Sequence, residues 1–569
     1  MKRYLQYLKE YKVQCILGPL FKWIQAALEL LVPLVMKDII DTGVAAGDIG
    51  YVLRGGALML VMGAVGFGCA LFCQRSASIA SQGFGTNVRN ALFRHINTLS
   101  YREIDKVGAS SLVTRVVNDV NQMQSAVAMI IRLVVRAPFI AVCSVVICLV
   151  LDPPIGGIVA ACAVFVGVIL WLIMHKTVPY YTRNQRSLDR LTQIAGENLE
   201  GARVVRAFQS RDKERARFDE AARDMLGNSL RVGRISAWIN PLTFAVVNFG
   251  IAVILYISGF KVNAGTLTDG DIIAIINYMA QILNAMVVIS NLVSLFTKAH
   301  AAMNRVSEVF DLHSSLEDEG TAVPDFSAPA LAFEDVSFSY AGTDRYSLRG
   351  IRLCVPAGAT VGIIGGTGSG KSTLISLLPR LYDAGEGCVR VFGQDVRDYK
   401  LEELRGLFGV VPQNAALFSG TVRSNLQWGG KDASDEELRE ALRVAAADFA
   451  LGEGGLDRAV SEGGRNFSGG QRQRLTIARA VAAKPRILVL DDSCSALDFA
   501  TDAKVRANIA ALEDVTTVIV SQRASSLRGA DVIFVLEDGK LVGQGKHEQL
   551  YESCPLYREI CDSQARAQA

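Results

Sequence analysis

The chain has 569 residues, half of them hydrophobic, with a mean hydropathy of +0.27 and a net charge of +3. That length exceeds a single core, and the near-neutral charge gives no reason to expect nucleic acid as a partner. The 11 cysteines are scattered without a C-x-x-C pair, which argues against a disulfide framework or a zinc site.

The apolar residues concentrate in the first 300 positions, as membrane spans would. Residues 1–12 are basic and amphipathic, with Tyr4, Leu5 and Leu8 on one helical face and Lys2, Arg3, Lys9 and Lys12 around the other. This reads either as an interfacial helix on an anionic membrane or as an ordinary helix start. A signal peptide is not expected, because no small-residue cleavage site follows a short apolar core. Six apolar runs come next, near 13–36, 51–73, 126–151, 155–174, 235–259 and 272–296. Each has about the 20 residues that a bilayer crossing needs. The links 37–50, 152–154 and 260–271 are short, whereas 74–125 and 175–234 are long, charged and helical in pattern. Arg75, Arg89, Arg94, Arg102, Lys106 and Arg115 lie in the first long link. Lys176, Arg183, Arg186, Arg190, Arg203 and Arg206 lie in the second, and the first short link instead carries Asp38, Asp41 and Asp48. The excess of cations places both termini and both long links in the cytoplasm, with the chain multi-pass in the cell membrane.

Polar residues inside a span are costly and informative. Asn277, Gln281, Asn284 and Asn291 recur at spacings of four, three and seven, which puts them on one face of the last span. That face either lines a translocation pathway or makes interhelical hydrogen bonds. Arg132 and Arg136, one turn apart in the third span, face protein or water and are suited to attract an anionic substrate group.

Residues 311–330 are polar, acidic and contain Pro324 and Pro329, the composition of a linker. From 331 to 569 the pattern becomes that of a soluble α/β domain. Val336, Phe338 and Tyr340 alternate as in a strand, 360–364, 518–520 and 533–536 read as buried strands, and Asp538-Gly539 marks a hairpin turn.

Gly365, Gly366, Thr367, Gly368, Ser369, Gly370, Lys371 and Ser372 form G-x-x-x-x-G-K-[ST] between a strand and a helix expected at 372–378. Such a loop curls backbone N–H groups around phosphate oxygens, with Lys371 reaching the outer phosphates, Ser372 on magnesium and Thr373 beside it. The run from Asn466 to Asp498 adds a small-residue loop suited to anions, Ser468, Gly469, Gly470 and Gln471, and helical character from Arg472 to Ala482. Pro485 ends that helix, and an apolar strand then runs into Asp491 and Asp492. A carboxylate at a strand end suits magnesium beside a phosphate, so ATP and Mg2+ are the expected ligands. Tyr340 is either an adenine-stacking ring or an ordinary strand aromatic.

These motifs resemble the ATP-binding cassette (ABC) transporter family, type I exporter class, over almost the whole chain. The matching residues are the 365–372 loop, Gln413 in VVPQNAALFSGTVRSNL, the signature NFSGGQRQRL from Asn466, ILVLDD ending at Asp492, and SALD from Ser495. SSLVTRVVNDV at 110–120 and ENLEGARVVRAFQSRDKERARF at 197–218 look like the family's two intracellular loops, which dock on the ATPase domains. The resemblance implies that two half-transporters pair head to tail, each ATP lying between one chain's phosphate loop and the other's Ser468–Gln471 signature. It also implies metal contacts from Ser372, Gln413 and Asp491. The sequence departs from the family at two positions. Asp492 stands where the family has a glutamate base, and Gln522 in VIVSQR stands where it has a switch histidine. The chain is therefore expected to be the degenerate-site half of a heterodimeric exporter of drug-, lipid- or peptide-like compounds, with a homodimer as the alternative. Import with the same fold and a non-catalytic ATP-binding regulator are rival functions. A peptide-processing exporter is disfavoured, since no domain of peptidase size precedes the first span. The expected fold is a six-helix transmembrane domain followed by an α/β P-loop nucleotide-binding domain.

Overall fold

A computed structural model describes residues 2–340, 343, 345–452, 454–493 and 496–568. The chain divides into two compact units, Met1–Asn97 with Ser110–Asp311, and Thr98–Ala109 with Leu312–Ala569.

Among the described residues the first unit contains six helices long and apolar enough to cross a membrane: Arg3–Val44, Ile49–Ile96, Ala109–Leu151, Pro153–Glu200, Arg211–Asn263 and Asp269–Phe310. Their lengths, 42 to 53 residues, exceed the 20 or so that a bilayer needs. The two charged links of the sequence are thus mostly helix, extending the second to fifth of these helices beyond the apolar runs. The short links are capped by the acids that punctuate them. Asp48 accepts from the Tyr51 N–H at 3.1 Å, and Asp152 from the Ile155 N–H at 3.0 Å. Thr268 and Asp271 form a reciprocal capping box at the start of the last helix. Asp41 accepts from the Thr268 hydroxyl at 2.6 Å and the Gly270 N–H at 2.8 Å, tying the first short link to the third. Lower in the unit, the buried Asp119 carboxylate takes a two-point contact from Arg305, at 2.5 and 2.9 Å. The core of the unit centres on Tyr278, fully buried, whose hydroxyl donates to the Leu30 carbonyl at 2.6 Å.

The N-terminal segment differs from one amphipathic helix. Lys2–Leu5 is α-helical and Gln6–Tyr11 is a 3-10 turn, whose tighter winding breaks the phase that would align Tyr4 with Leu8. Tyr4 is buried, its hydroxyl on the Met303 carbonyl at 3.1 Å and on Ser307 at 2.7 Å, while Leu5 is exposed.

The second unit is built on a six-stranded sheet in the order Lys540–Gly545, Val532–Glu537, Thr360–Gly365, Thr516–Val520, Ile487–Asp491 and Phe408–Val411. All adjacent pairs are parallel except the first, a hairpin. The central strands read as unbroken apolar runs because both faces are covered; Ile487 to Leu490 are all buried. A four-stranded antiparallel sheet, Leu348–Val355, Leu331–Phe338, Glu386–Val391 and Gln394–Asp395, packs alongside. Residues 312–330 are not a free tether. The Arg380 guanidinium donates to the Glu317 carbonyl at 2.8 Å, and Asp318 accepts from the Leu401 N–H at 2.7 Å. The helix Tyr101–Val107 belongs to this unit as well. Tyr382 donates its hydroxyl to Asp105 at 2.5 Å, and the Tyr101 and Tyr382 rings lie 6.1 Å apart.

Candidate functional site

Three neighbouring parallel strands end together. In register, Val520 pairs with Ile363 on one side and with Asp491 on the other. Their C-terminal edges therefore deliver the 365–372 loop, the Ser521–Gln522 turn and the Asp491–Asp492 pair to one place, where an open parallel sheet binds ligands. A cleft of about 640 Å³ lies there. Tyr340, Thr367, Gly368, Gly370, Lys371, Ser372, Thr373, Gln413, Asp491, Asp492 and Gln522 all line it.

The loop needs its glycines. Gly368 and Gly370 have φ of 79° and 96°, and a Cβ on Gly370 would meet the Ser347 carbonyl oxygen at 2.7 Å. The helix that follows is Lys371–Leu377, one residue earlier than the sequence pattern suggests. Gly365, Gly366 and Ser369 support the loop from behind. The Lys371 ammonium donates to the Gly365 and Gly366 carbonyls at 3.0 and 2.6 Å and lies 3.4 Å from Ser369 Oγ. Burial holds Lys371 below the ordinary lysine pKa, against the pull of Asp492 and Asp491. The site thus combines a buried cation with a ring of loop amides, an arrangement for polyphosphate.

On the facing strand, Ser372 Oγ lies 3.4 Å from Asp491 Oδ1. A hydroxyl and a carboxylate side by side are hard oxygen donors of the kind Mg2+ takes, with phosphate and water completing the shell; Gln413 lines the same cleft. The residues fit that ion. Asp491 and Asp492 are both held above the ordinary aspartate range, chiefly by burial, with mutual repulsion adding to the rise at Asp491. Asp492 takes φ of 44°, a left-handed conformation that aspartate tolerates better than most residues. Gln413 hydrogen-bonds the Asp492 carboxylate, and the Gln522 amide lies 3.5 Å from its Oδ2. The two residues that depart from the family pattern therefore face each other.

Tyr340 is half-buried on the opposite wall. Its ring packs edge-on to Phe338 at 5.0 Å and to Tyr382 at 5.4 Å, and its hydroxyl is 3.1 Å from Thr373 Oγ1. Tyr340 lies two residues past the end of the strand Leu331–Phe338, so it is not a strand aromatic, and it lines the cleft. Arg345, Tyr346, Ser347 and the Asp538-Gly539 turn also line the cleft. The sequence reading missed the first three, which carry no motif, and treated the turn only as a hairpin.

Ser468, Gly469, Gly470 and Gln471 do not line this cleft. They also do not form a loop ahead of a helix starting at Arg472; the helix runs Gly469–Ala482. The reason is a capping box at Ser468. Its N–H donates to Gln471 Oε1 at 3.0 Å, and its hydroxyl accepts from the Gln471 N–H at 3.3 Å. A cap of this kind contributes about 1 kcal/mol, enough to offset one glycine in the first turn. Ser468 and Gly469 are exposed. Of the SALD motif, Ser495 lies outside the described residues. Asp498 caps the helix Phe499–Ala510 by accepting from the Thr501 N–H at 3.1 Å.

A contact without any sequence signal holds the Gln522 turn. Gln564, in the C-terminal helix Pro555–Gln568, donates to the Gln522 carbonyl at 2.6 Å and accepts from the Ala524 N–H at 2.9 Å.

In the membrane unit, Asn277, Asn284 and Asn291 are exposed on one face of the last helix. Asn277 bonds back to the Ile273 carbonyl at 2.9 Å. Gln281 is turned further inward, 3.5 Å from the Glu29 carbonyl oxygen. Arg136 is paired with Glu29, which sequence reasoning overlooked.

Comparison with known proteins agrees with this geometry. Residues 15–286 match the family model for the ABC transporter transmembrane region, and residues 348–495 match that for the ABC transporter. An uncharacterised ABC transporter ATP-binding protein of Mycobacterium tuberculosis is 36% identical over 98% of this chain and 97% of its own length. The ATP-dependent lipid A-core flippase of Chromobacterium violaceum is 31% identical over 98% and 96%. A bacterial Atm1-family ABC exporter with ATP bound superposes with a TM-score of 0.79 at 26% identity, covering 99% of each chain. The chain is thus an integral membrane protein that belongs to the ABC transporters and has the fold of their Atm1-family exporters.

Proposed function

We propose that this chain is the degenerate-site half of a heterodimeric, ATP-driven exporter in the cell membrane. It binds ATP with Mg2+ in its own cleft and turns it over slowly, and its Ser468–Gln471 signature completes the competent site of a different partner chain. The observation that carries this reading is the pairing of Asp492 with Gln522, 3.5 Å apart at the catalytic end of the cleft. Aspartate is one methylene shorter than glutamate, and a shortfall of about 1 Å in placing a base costs on the order of 100-fold in rate. Glutamine can hydrogen-bond a phosphate but cannot carry charge as histidine does. Lys371, Ser372 and Asp491 keep the means to hold a nucleotide and its metal. When bound, that ion would neutralise phosphate charge.

Pairing with a second half-transporter is supported by surfaces this chain leaves uncovered. Ser468 and Gly469 are exposed. In the second intracellular segment, Val204 and Phe208 are 60% and 77% exposed, more apolar surface than a solitary cytoplasmic turn would leave. Export of a drug-, lipid- or peptide-like compound follows the exporter fold, and a lipid flippase stands among the relatives.

In the assembled pair, Ser468→Arg is expected to abolish ATPase activity, and Lys371→Ala to reduce it less. Equal and complete loss from both substitutions rejects the asymmetric arrangement.

A further inference from the structure

The six apolar runs contain five charged side chains: Lys22, Glu29, Arg54, Arg132 and Arg136. Four of them meet inside the membrane unit. Arg136 places one guanidinium nitrogen 2.8 Å from both carboxylate oxygens of Glu29. Lys22 lies within the electrostatic reach of Glu29, Arg132 and Arg136, and its ammonium donates to the Gln25 amide at 2.8 Å. Arg132 donates to the Ser78 hydroxyl at 3.3 Å. Among the described residues Arg136–Glu29 is the only ion pair of the group. Three cations against one anion leave two positive charges uncompensated. In addition, Nε of Arg132, Nε of Arg136 and Oε1 of Gln281 are buried without a hydrogen-bond partner.

The depth of the group follows from helix geometry. At 1.5 Å per residue, Glu29 is about 18 Å and Lys22 about 28 Å along the helix from Asp41, and Arg136 and Arg132 are about 24 and 30 Å from Asp152. The group thus runs from near the middle of an apolar layer about 30 Å thick, at Glu29, to its edge away from the short links, at Lys22 and Arg132. Charges at such depth are held by partners, by a water-filled cavity or by a ligand. A purely structural cluster would balance its charges; this one carries a surplus and idle donors.

We propose that Lys22, Arg132 and Arg136 bind the anionic headgroup of an amphiphile, a phosphate or carboxylate on an apolar body whose tail lies along the spans. Glu29 is the internal competitor that occupies Arg136 when no headgroup does. A transported amphiphile and a resident anionic lipid offer the same headgroup chemistry. Only the claim that the amphiphile is moved rests on the exporter reading.

The test is equilibrium binding of dodecyl phosphate, without nucleotide, to the full chain in its purified assembly, in nanodiscs of phosphatidylcholine. Dodecyl maltoside is the uncharged control. Losing two charge-assisted contacts in the Lys22→Gln/Arg132→Gln double variant is expected to weaken dodecyl phosphate about tenfold or more and to leave dodecyl maltoside within about twofold. Arg132→Lys is expected to retain binding, and Glu29→Gln, by releasing Arg136, to tighten it severalfold. Unchanged dodecyl phosphate affinity in the double variant, equal affinity for the uncharged control, or weaker binding in Glu29→Gln overturns the proposal. The opposite signs keep the result decisive even if one variant folds poorly. Repeating the titration in phosphatidylglycerol separates the sources. Displacement of dodecyl phosphate identifies a resident anionic bilayer lipid as the occupant, and its retention identifies an amphiphile other than the bilayer lipid. Because no ATP is present, failure here leaves the exporter reading intact, and failure of ATP-driven transport leaves this binding intact.

Discussion

Asp492 and Gln522 lie just past the ends of two neighbouring strands, and Asp492 is tied to the second strand by its N–H on the Val520 carbonyl at 2.9 Å. The carboxylate is therefore held by its strand, and only side-chain length decides its reach. Asp492→Glu is expected to raise ATPase turnover at this chain's own cleft by one to two orders of magnitude, since about 1 Å of misplacement costs on the order of 100-fold. No rise in single-site turnover would mean that the base is not the limiting defect. A second residue-scale expectation concerns Glu437. It pairs with Lys484 and accepts from Ser434 at the start of the helix Asp435–Val444, which holds its carboxyl down to about 2. A depressed carboxylate contributes stability that is present above its ordinary pKa, about 4.3, and lost as pH falls through the folded value. The melting temperature of Glu437→Ala should thus lie below that of the natural chain at neutral pH, and the gap should close between about 4.3 and 2.

At the scale of elements, the cleft is a consequence of register. The strand Ile487–Asp491 is buried on both faces up to Leu490, and the first side chain that is only partly buried is Asp491. The same logic places Gln522 just past Thr516–Val520. What the strands do not hold, the C-terminal helix does: Gln564 bridges Gln522 and Ala524. Gln564→Ala is expected to speed amide hydrogen exchange across 521–527 while leaving the strand Thr516–Val520 protected. Unchanged exchange in that turn would show that the helix only covers it. The 14-residue signature helix is a case where a cap overrides propensity. Two glycines suggest a loop, but the Ser468–Gln471 box starts the helix ahead of them.

For the whole molecule, the proposed pairing follows from a signature, Ser468–Gln471, that lies outside the chain's own cleft. Expressed and purified alone, the chain is expected to bind ATP and to hydrolyse it slowly. A homodimer with brisk ATPase activity would reject the heterodimeric reading.

Much of this molecule is determined along the chain. Six apolar runs, the glycine-rich loop ending in Lys371 and Ser372, and an apolar strand running into Asp491 are local patterns, because helix burial, phosphate cradling and metal ligation each depend on spacing within a few residues. The family departures at Asp492 and Gln522 are equally local. Other features exist only once distant segments meet. Nothing near Glu29 in sequence announces Arg136, 107 positions away. Gln564 has no pattern linking it to Gln522, and the Tyr101–Val107 helix reads as part of a cytoplasmic link until Asp105 accepts the Tyr382 hydroxyl. Side-chain pairing across elements depends on which faces pack together, and tertiary structure alone decides that.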